Sequence, residues 1–351
     1  MHNHRKPHVL IFYKSKSSGP HNSYQAGGLS ANAHHSVAVL NKMGVKAEAH
    51  SVRDYHDLDS QLHHINHKHP VTNVIIEAVW VTAFQLERLG FLYPEIDFVV
   101  RAHSKAAFIV SEAEAVDLLR EIIELHKKHP KLHFSSNNHE FAKSLAEVYG
   151  NCLYLPNLYD MKDLHKQDHC HDILKIGSYG ASRLLKLHTS AALAALQVAK
   201  EMNKQLEFYI NVDATPGGQS VRNTIRNMYK NLDWAKLIEI PWEKPKDFQY
   251  SIGHLDLLYQ LSATESYCLT AADAIDAGVP VVVGPAIEWI DKKYQALIDD
   301  TTNAAHLGVK VIKDHHRVVK EQKKMLKKFV TEAEEVWAKY LNIKVKKSCW
   351  L

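Results

Sequence analysis

The chain has 351 residues, with 43 Lys and Arg against 39 Asp and Glu for a net charge of +4, and 46% hydrophobic residues with only 14 Gly and 11 Pro. That composition excludes a disordered, collagen-like or low-complexity protein, and the charge is too mild to argue for nucleic acid by itself. The length suits two domains, while the longest apolar stretches, 71–81 and 279–283, fall well short of the roughly 20 residues of a membrane helix. The N-terminal Met-His-Asn-His-Arg-Lys-Pro-His lacks the apolar core of a signal peptide. Four scattered cysteines (Cys152, Cys170, Cys268, Cys349) make no disulfide framework, so reduced thiols in a cytoplasm are expected.

In chain order, Val9–Tyr13 reads as a buried strand, followed by a loop holding Gly19-Pro20 and Gly27-Gly28 and a helix over about Ser30–Met43 that ends at Gly44. Strands follow at Val45–His50, Val74–Ile76 and Asp97–Arg101, with a helix through Phe84–Phe91 between the last two. Glu112–Lys128 is an amphipathic helix, and Leu132–Phe134 and Leu153–Leu155 are the last strands of this half. The polar stretch Asn157 to about His171 reads as a linker, after which the alternation restarts. Strands at Ile173–Ile176, Leu206–Val212, Ala235–Ile240, Leu255–Tyr259 and Val279–Val283 are separated by helices at Lys186–Met202, Val221–Lys230, Pro245–Ile252 and Thr270–Ala277. A long helix closes the chain at about His315–Leu341. Such alternation implies two α/β domains with parallel sheets covered on both faces, and ligands beyond the carboxyl ends of the strands, in a cleft between the domains.

The segment Ser262-Ala-Thr-Glu265-Ser-Tyr267-Cys268-Leu269-Thr270-Ala-Ala-Asp273, running on to Gly278-Val-Pro-Val-Val282, is a strand end, loop, helix, Gly turn and buried strand. The helix start near Tyr267–Thr270 offers backbone N–H groups and a positive dipole end, which suit a diphosphate. Glu265 and, eight positions later, Asp273 can offer carboxylates to the hydroxyls of a sugar and a ribose. On spacing alone, Glu265 serves equally well as a helix cap and Asp273 as a solvated helix residue. The 25 histidines include the adjacent pairs His34-His35, His63-His64 and His315-His316, whose side chains diverge on a helix, and one close cluster, His169-Cys170-His171, in the linker. No metal site is expected, and the histidine excess reads as composition.

Glu265-x7-Asp273 followed by Gly278-Val-Pro-Val-Val282 resembles the donor-binding segment of retaining GT-B glycosyltransferases of the glycogen-synthase-like class, whose second acid is Glu rather than Asp. Further segments are similar to that class in the same order. These are Gly27-Gly28-Leu29 after the first strand, His103 after the fourth, and Leu155-Pro156-Asn157-Leu158-Tyr159-Asp160 at the close of the first half. Ile176-Gly-Ser-Tyr-Gly-Ala-Ser-Arg183-Leu-Leu-Lys186 opens the second. A subset of bacterial and phage GT-B sequences is more similar still. It shares the Gly-x-x-Gly-Ala-x-Arg-x-x-Lys entry, Pro241-Trp242, Asp256-Leu257, Gln260-x-Ser262-x-Thr264-Glu265, Asp273 and Glu288-Trp289.

The resemblance implies a GT-B fold of two Rossmann-like domains facing a cleft, an acceptor-side domain at 1–160 and a nucleotide-sugar domain at 161–313, closed by a helix at 314–351. It implies metal-independent, cofactor-free transfer of a sugar with retention from a nucleotide diphosphate sugar, a UDP-sugar above all. Arg183, Lys186 and the residues Tyr267, Cys268, Leu269 and Thr270 would hold the diphosphate, Glu265 the sugar, Asp273 the ribose, and His103 the sugar near its anomeric carbon. In many relatives the Arg directly follows the first Gly of the entry, where this chain has Ser178. Gly27 and Gly28 would bind the donor, their loop approaching its phosphate as well as the acceptor, which would lie near Gly27–Ser30 and Trp80. Three other readings share the architecture: a sugar-nucleotide epimerase, a binding protein without turnover, and a transferase acting on hydroxymethylated bases in DNA. The last would use the basic helix surface of Lys320, Lys323, Lys324, Lys327 and Lys328.

Overall fold

The computed structural model describes residues 6–14, 27–109, 115–164, 172–212, 218–243 and 245–344. The loop around Gly19-Pro20, the start of the helix expected at Glu112, the His169-Cys170-His171 cluster and Cys349 lie outside them. The chain divides into two compact units, Met1–Asp160 with Val330–Leu351, and Met161–Phe329.

The first unit is built on β1 (His8–Lys14), α1 (Gly27–Lys42), β2 (Lys46–Val52), α2 (Tyr55–Lys68), β3 (Asn73–Glu77), α3 (Ala83–Leu92), β4 (Asp97–Ala102), α4 (Ala106–Ile109), α5 (Ala115–Leu125), β5 (Leu132–Ser136), α6 (His139–Tyr149) and β6 (Leu153–Tyr154). The sheet order is β2-β1-β3-β4-β5-β6, with every pairing parallel. The strands read as unbroken apolar runs because both faces are covered, and Val9–Phe12, Val74–Ile76 and Phe98–Val100 are wholly buried. Leu10, Phe12, Leu58, Leu62, Leu86, Leu89 and Ile122 are among the side chains of one core.

The second unit contains β7 (Ile173–Ser178), a 3₁₀ turn at Leu184–Lys186, α7 (His188–Glu201), β8 (Gln205–Val212), α8 (Gly218–Tyr229), β9 (Ala235–Pro241), α9 (Pro245–Ile252) and β10 (Leu257–Gln260). It continues with α10 (Leu269–Asp276), β11 (Val281–Val283), α11 (Thr301–Lys313) and the first half of α12 (His315–Tyr340), whose last eleven residues belong to the first unit. The order β11-β10-β7-β8-β9 is again parallel throughout. Numbered from its own first strand it is 3-2-1-4-5 read from the far side, so the topological switch point falls between β7 and β10. The edge at β11 is covered by the buried side chain of Gln322 on α12, which accepts from Val281 N at 2.9 Å and donates to Val281 O at 2.8 Å.

Three helices absent from the sequence reading, α2, α6 and α11, begin at side-chain caps. Asp54, Asn138 and Asp300 accept from Asp57 N, Phe141 N and Asn303 N. The stretch expected as a linker from Asn157 begins instead as buried chain of the first unit, with Asn157, Leu158, Tyr159 and Asp160 all at most 4% exposed.

Candidate active site

In the first unit, charge is concentrated where β3 and β4 end. The parallel register sets Glu77 opposite Arg101, each directly following an apolar run, Val74–Ile76 and Phe98–Val100. Both side chains are fully buried, and Arg101 donates through Nε and Nη2 to the two Glu77 oxygens at 3.0 and 2.8 Å. A buried carboxylate is tolerated on such terms, because a planar fork meets both oxygens. His103, just beyond β4, points Nε2 at Glu77 Oε2, and its Nδ1 lies 3.3 Å from Asn137 Nδ2. Burial alone would raise the Glu77 pKa, but Arg101 and His103 hold it at about 2. Burial pushes His103 below the ordinary histidine value, against the pull of Glu77. A neutral imidazole with its proton on Nε2 donates to Glu77 and accepts from Asn137, so both ring nitrogens are engaged.

Two arms tie this group to the segment 155–157. Arg101 Nη1 donates to Pro156 O at 3.1 Å. Asn137 Nδ2 donates to Asn157 Oδ1 at 3.1 Å, and Asn157 Nδ2 to Asn32 Oδ1 on α1 at 2.8 Å. Gly27 and Gly28 open α1 rather than lying in a loop before it, and a Cβ at Gly28 would meet nothing within 4 Å. Trp80, half-buried after β3, donates from Nε1 to Glu77 O at 2.9 Å and carries Lys14 Nζ 5.6 Å from its ring centroid.

In the second unit the loops leaving β7 and β10 meet at the switch point. Gln260 Nε2 donates to Tyr179 O at 2.8 Å, and Ala263 N donates to Leu185 O at 2.9 Å. Gly284, just after β11, backs the second loop so closely that a Cβ there would sit 2.5 Å from Ser262 O. These contacts bring Lys186 and Glu265, 79 residues apart, into an ion pair whose side chains are 16% and 14% exposed. Arg183 precedes the same 3₁₀ turn and is exposed, so the two cations flank one short turn instead of opening an α-helix; α7 starts two residues later.

Beyond Glu265, α10 starts at Leu269, and its N-cap, Cys268, makes no side-chain capping bond. Glu265 is thus engaged with Lys186 rather than acting as the N-cap residue. Asp273 is 5% exposed, which removes the solvated-helix reading, and its Oδ1 lies 3.4 Å from Gln249 Nε2. Tyr267 is 2% exposed and stacks on both Trp289 and Phe329, at centroid distances of 5.7 and 4.9 Å, in a three-ring cluster whose other two members are 5.9 Å apart. Trp289 Nε1 donates to Tyr267 O at 2.6 Å. Tyr267 and Cys268 are accordingly side chains of the interior that fix where the helix begins. Burial pushes both well above their ordinary pKa, with the Glu265 carboxylate adding to the effect at Cys268. Leu269 and Thr270 are half-buried in the first turn.

Backbone strain marks the same places. Among the described residues other than glycine, eight have positive φ, and five of these are Asn or Asp, which tolerate it. The other three are Ala78 (68°), Leu187 (52°) and Cys268 (69°). They adjoin Glu77 and Lys186 and occupy the N-cap of α10. Each costs on the order of 1–2 kcal/mol and persists only where the surroundings demand it.

Sequence reasoning missed Glu77, Asn137 and Asn157 as members of a polar group. A usable signal existed: Val-Ile-Ile-Glu77 and Phe-Val-Val-Arg101 each end an apolar run in a charge, and neighbouring strands in register can pair them. Among the described residues no three His, Cys, Asp or Glu side chains are grouped as a metal site requires, and no helix is long and apolar enough to cross a membrane.

Two parallel sheets, one of six strands and one of five, joined to a long terminal helix, define the GT-B fold. HepE from Anabaena, solved with UDP and glucose, matches with a TM-score of 0.64 at 14% identity over 95% of this chain and 100% of its own. OtsA, a trehalose-6-phosphate synthase, matches with a TM-score of 0.65 at 10% identity over 95% and 99%. TarM from S. aureus matches with a TM-score of 0.57 at 16% identity over 77% of this chain and 55% of TarM. At these identities the likeness is one of fold. No protein-family model and no curated protein sequence matches the chain.

Proposed function

We propose that the chain is a retaining glycosyltransferase that moves a sugar from a nucleotide diphosphate sugar, with UDP as the nucleotide, to an acceptor hydroxyl without a metal ion. The carrying observation is the Lys186–Glu265 pair at the switch point of the second sheet, beside a helix start with no side-chain cap. A cation, a carboxylate and free backbone N–H groups at the carboxyl ends of parallel strands are the donor and acceptor set a sugar diphosphate requires. The structures of HepE with UDP-glucose and of TarM with UDP support the donor class.

In this reading the bond between the anomeric carbon and the diphosphate oxygen breaks, the diphosphate keeps the electron pair, and the acceptor oxygen bonds to that carbon from the same face while its hydroxyl proton passes to the departing diphosphate oxygen. Lys186, Arg183 and the first-turn N–H groups of α10, at Leu269 and Thr270, stabilise the charge that grows on the diphosphate; removing one such group costs on the order of 10²–10³ in rate. Two side-chain cations there do the work a metal ion does elsewhere. Glu265, released as Lys186 turns to the diphosphate, accepts from sugar hydroxyls, and Asp273 accepts from the ribose. His103 contacts the sugar near its anomeric carbon, and Gly27 and Gly28 present backbone to the acceptor side.

The test is a thermal-shift and hydrolysis screen of nucleotide sugars, followed by mass analysis with candidate acceptors that include hydroxymethylated DNA. A UDP-sugar at 100 times its Kd should stabilise the chain by about 2.7 kcal/mol. Absence of any shift with every nucleotide sugar, together with no heat of binding, defeats the proposal. Conversion of the donor alone into an isomeric sugar nucleotide would make the enzyme an epimerase.

A further inference from the structure

The part of α12 that belongs to the first unit ends against the Glu77–Arg101–His103 group. Trp337, fully buried, donates from Nε1 to Pro156 O at 2.8 Å. That carbonyl is also the acceptor for Arg101 Nη1, so its two lone pairs serve one indole and one guanidinium. The Trp337 ring lies over Arg101, with the guanidinium carbon 5.5 Å from its centroid. Arg101 spends Nε and Nη2 on Glu77, and Glu77 Oε2 receives His103. One turn further along the same helix, Tyr340 makes a separate anchor, its hydroxyl accepting from Asn73 Nδ2 at 3.2 Å.

We propose that Trp337 is a positioning residue for His103, acting through Pro156, Arg101 and Glu77, and this rests on the transferase reading of the site. The physical argument is one of degrees of freedom. A guanidinium has five N–H groups in one plane, and Glu77 fixes the plane along one edge only. The indole covers a face and shares the carbonyl on another edge, so Arg101 can neither tilt nor admit water. With Arg101 fixed, both Glu77 oxygens are fixed, and the imidazole that donates to one of them takes a single orientation. Asn137, facing the other ring nitrogen, completes the set of groups around His103. The terminal helix thereby contributes to the group around His103, whose other members lie more than 170 residues earlier in the chain.

The experiment uses the full chain with ¹⁵N-labelled histidine, the His103 signal being assigned by its loss in His103→Gln. Trp337→Phe keeps a ring over Arg101 and removes the N–H. Arg101 opposes a proton on His103 and Glu77 favours one, so a loosened Arg101 leaves Glu77 less neutralised. The His103 titration midpoint is expected to rise by about half a unit or more, and kcat to fall about fivefold, the worth of one hydrogen bond, with the donor KM unchanged. Trp337→Tyr, which fills more of the space and also lacks the indole N–H, should shift the midpoint the same way and stands in if Trp337→Phe does not fold. Tyr340→Phe, which keeps the ring set edge-on against Trp337 and removes only the hydroxyl bond to Asn73, should leave the midpoint in place. An unmoved midpoint in the Trp337 variants, or an equal shift in Tyr340→Phe, overturns the proposal. If the wild-type chain turns over no nucleotide sugar, the transferase reading fails, while the titration still reports whether Trp337 holds His103.

Discussion

The two charged groups of the candidate site are built on opposite terms. In the first unit Glu77 and Arg101 are wholly buried, joined by two hydrogen bonds and backed by backbone carbonyls and a tryptophan. In the second, Lys186 and Glu265 meet through single atoms, and each keeps about a seventh of its side chain in solvent. A buried pair with every polar atom matched is rigid, and breaking it strands a charge in the interior. A partly exposed pair gains little from its own contact and opens cheaply to a better partner. The first group therefore suits holding a side chain in one place, and the second suits exchanging an internal partner for an anion.

The largest expected effect follows from removing a charge from the buried group. Glu77→Gln should destabilise the first unit by about 3–5 kcal/mol, read by chemical denaturation, because Arg101 is left without its counter-charge. The same group sets an acid limit. The Glu77 carboxyl lies at about 2 in the fold against an ordinary 4.5. A carboxylate held below its unfolded value adds stability that is fully present above that value and is lost as pH falls through the folded one. Stability of the wild-type chain should thus fall between about pH 4.5 and 2, and that part of the slope should vanish in Glu77→Gln. An unchanged slope would show that Glu77 does not carry the charge of its cluster.

Lys186→Ala and Glu265→Ala come next and invert the pattern. Each should lower transfer by on the order of 10²–10³ while costing no more than about 1–2 kcal/mol of stability. His103→Ala sharpens the contrast, since it should lower turnover and also cost about 1.5–3 kcal/mol by removing one of the two donors to the buried Glu77 Oε2, which keeps only Arg101 Nε. Equal stability losses at Lys186 and His103 would erase the distinction between the two groups. Near-normal turnover in Lys186→Ala would remove the second group from the site.

The unequal visibility of these groups in the sequence has the same origin. Buried parallel strands announce themselves as apolar runs, so both sheets could be read from Val9–Tyr13 through Val281–Val283. The Glu265–Asp273 segment was visible because its members are close in sequence and share one loop and helix. Glu77 and Arg101 stand 24 positions apart and become partners only through the register of β3 on β4, while Trp337 reaches Pro156 across 181 positions. Helices α2, α6 and α11 escaped because their apolar stripes are interrupted by histidines, lysines and alanines. Their caps at Asp54, Asn138 and Asp300 were the readable signal. Side-chain direction was hidden altogether. Tyr267 and Cys268 share the helix start with Leu269, yet their side chains belong to the interior, at 2% and 7% exposed.

The smallest predicted effect tests whether strain belongs to the comparison. Ala78, with φ at 68°, follows Glu77 directly, and its N–H donates to Arg101 O at 2.9 Å. In ordinary backbone, Ala→Gly costs about 0.5–1 kcal/mol, because glycine has more freedom to lose on folding. At Ala78 the left-handed conformation already costs on the order of 1–2 kcal/mol that glycine would not bear. The two effects oppose each other, so Ala78→Gly should be neutral or stabilising by up to about 1 kcal/mol in thermal unfolding. A loss of more than about 1 kcal/mol would mean that the methyl group, and not the turn, is what the fold requires there. If stability rises while turnover falls, the stiffness that alanine imposes at this turn helps hold Glu77, and through it His103, in the orientation that transfer needs.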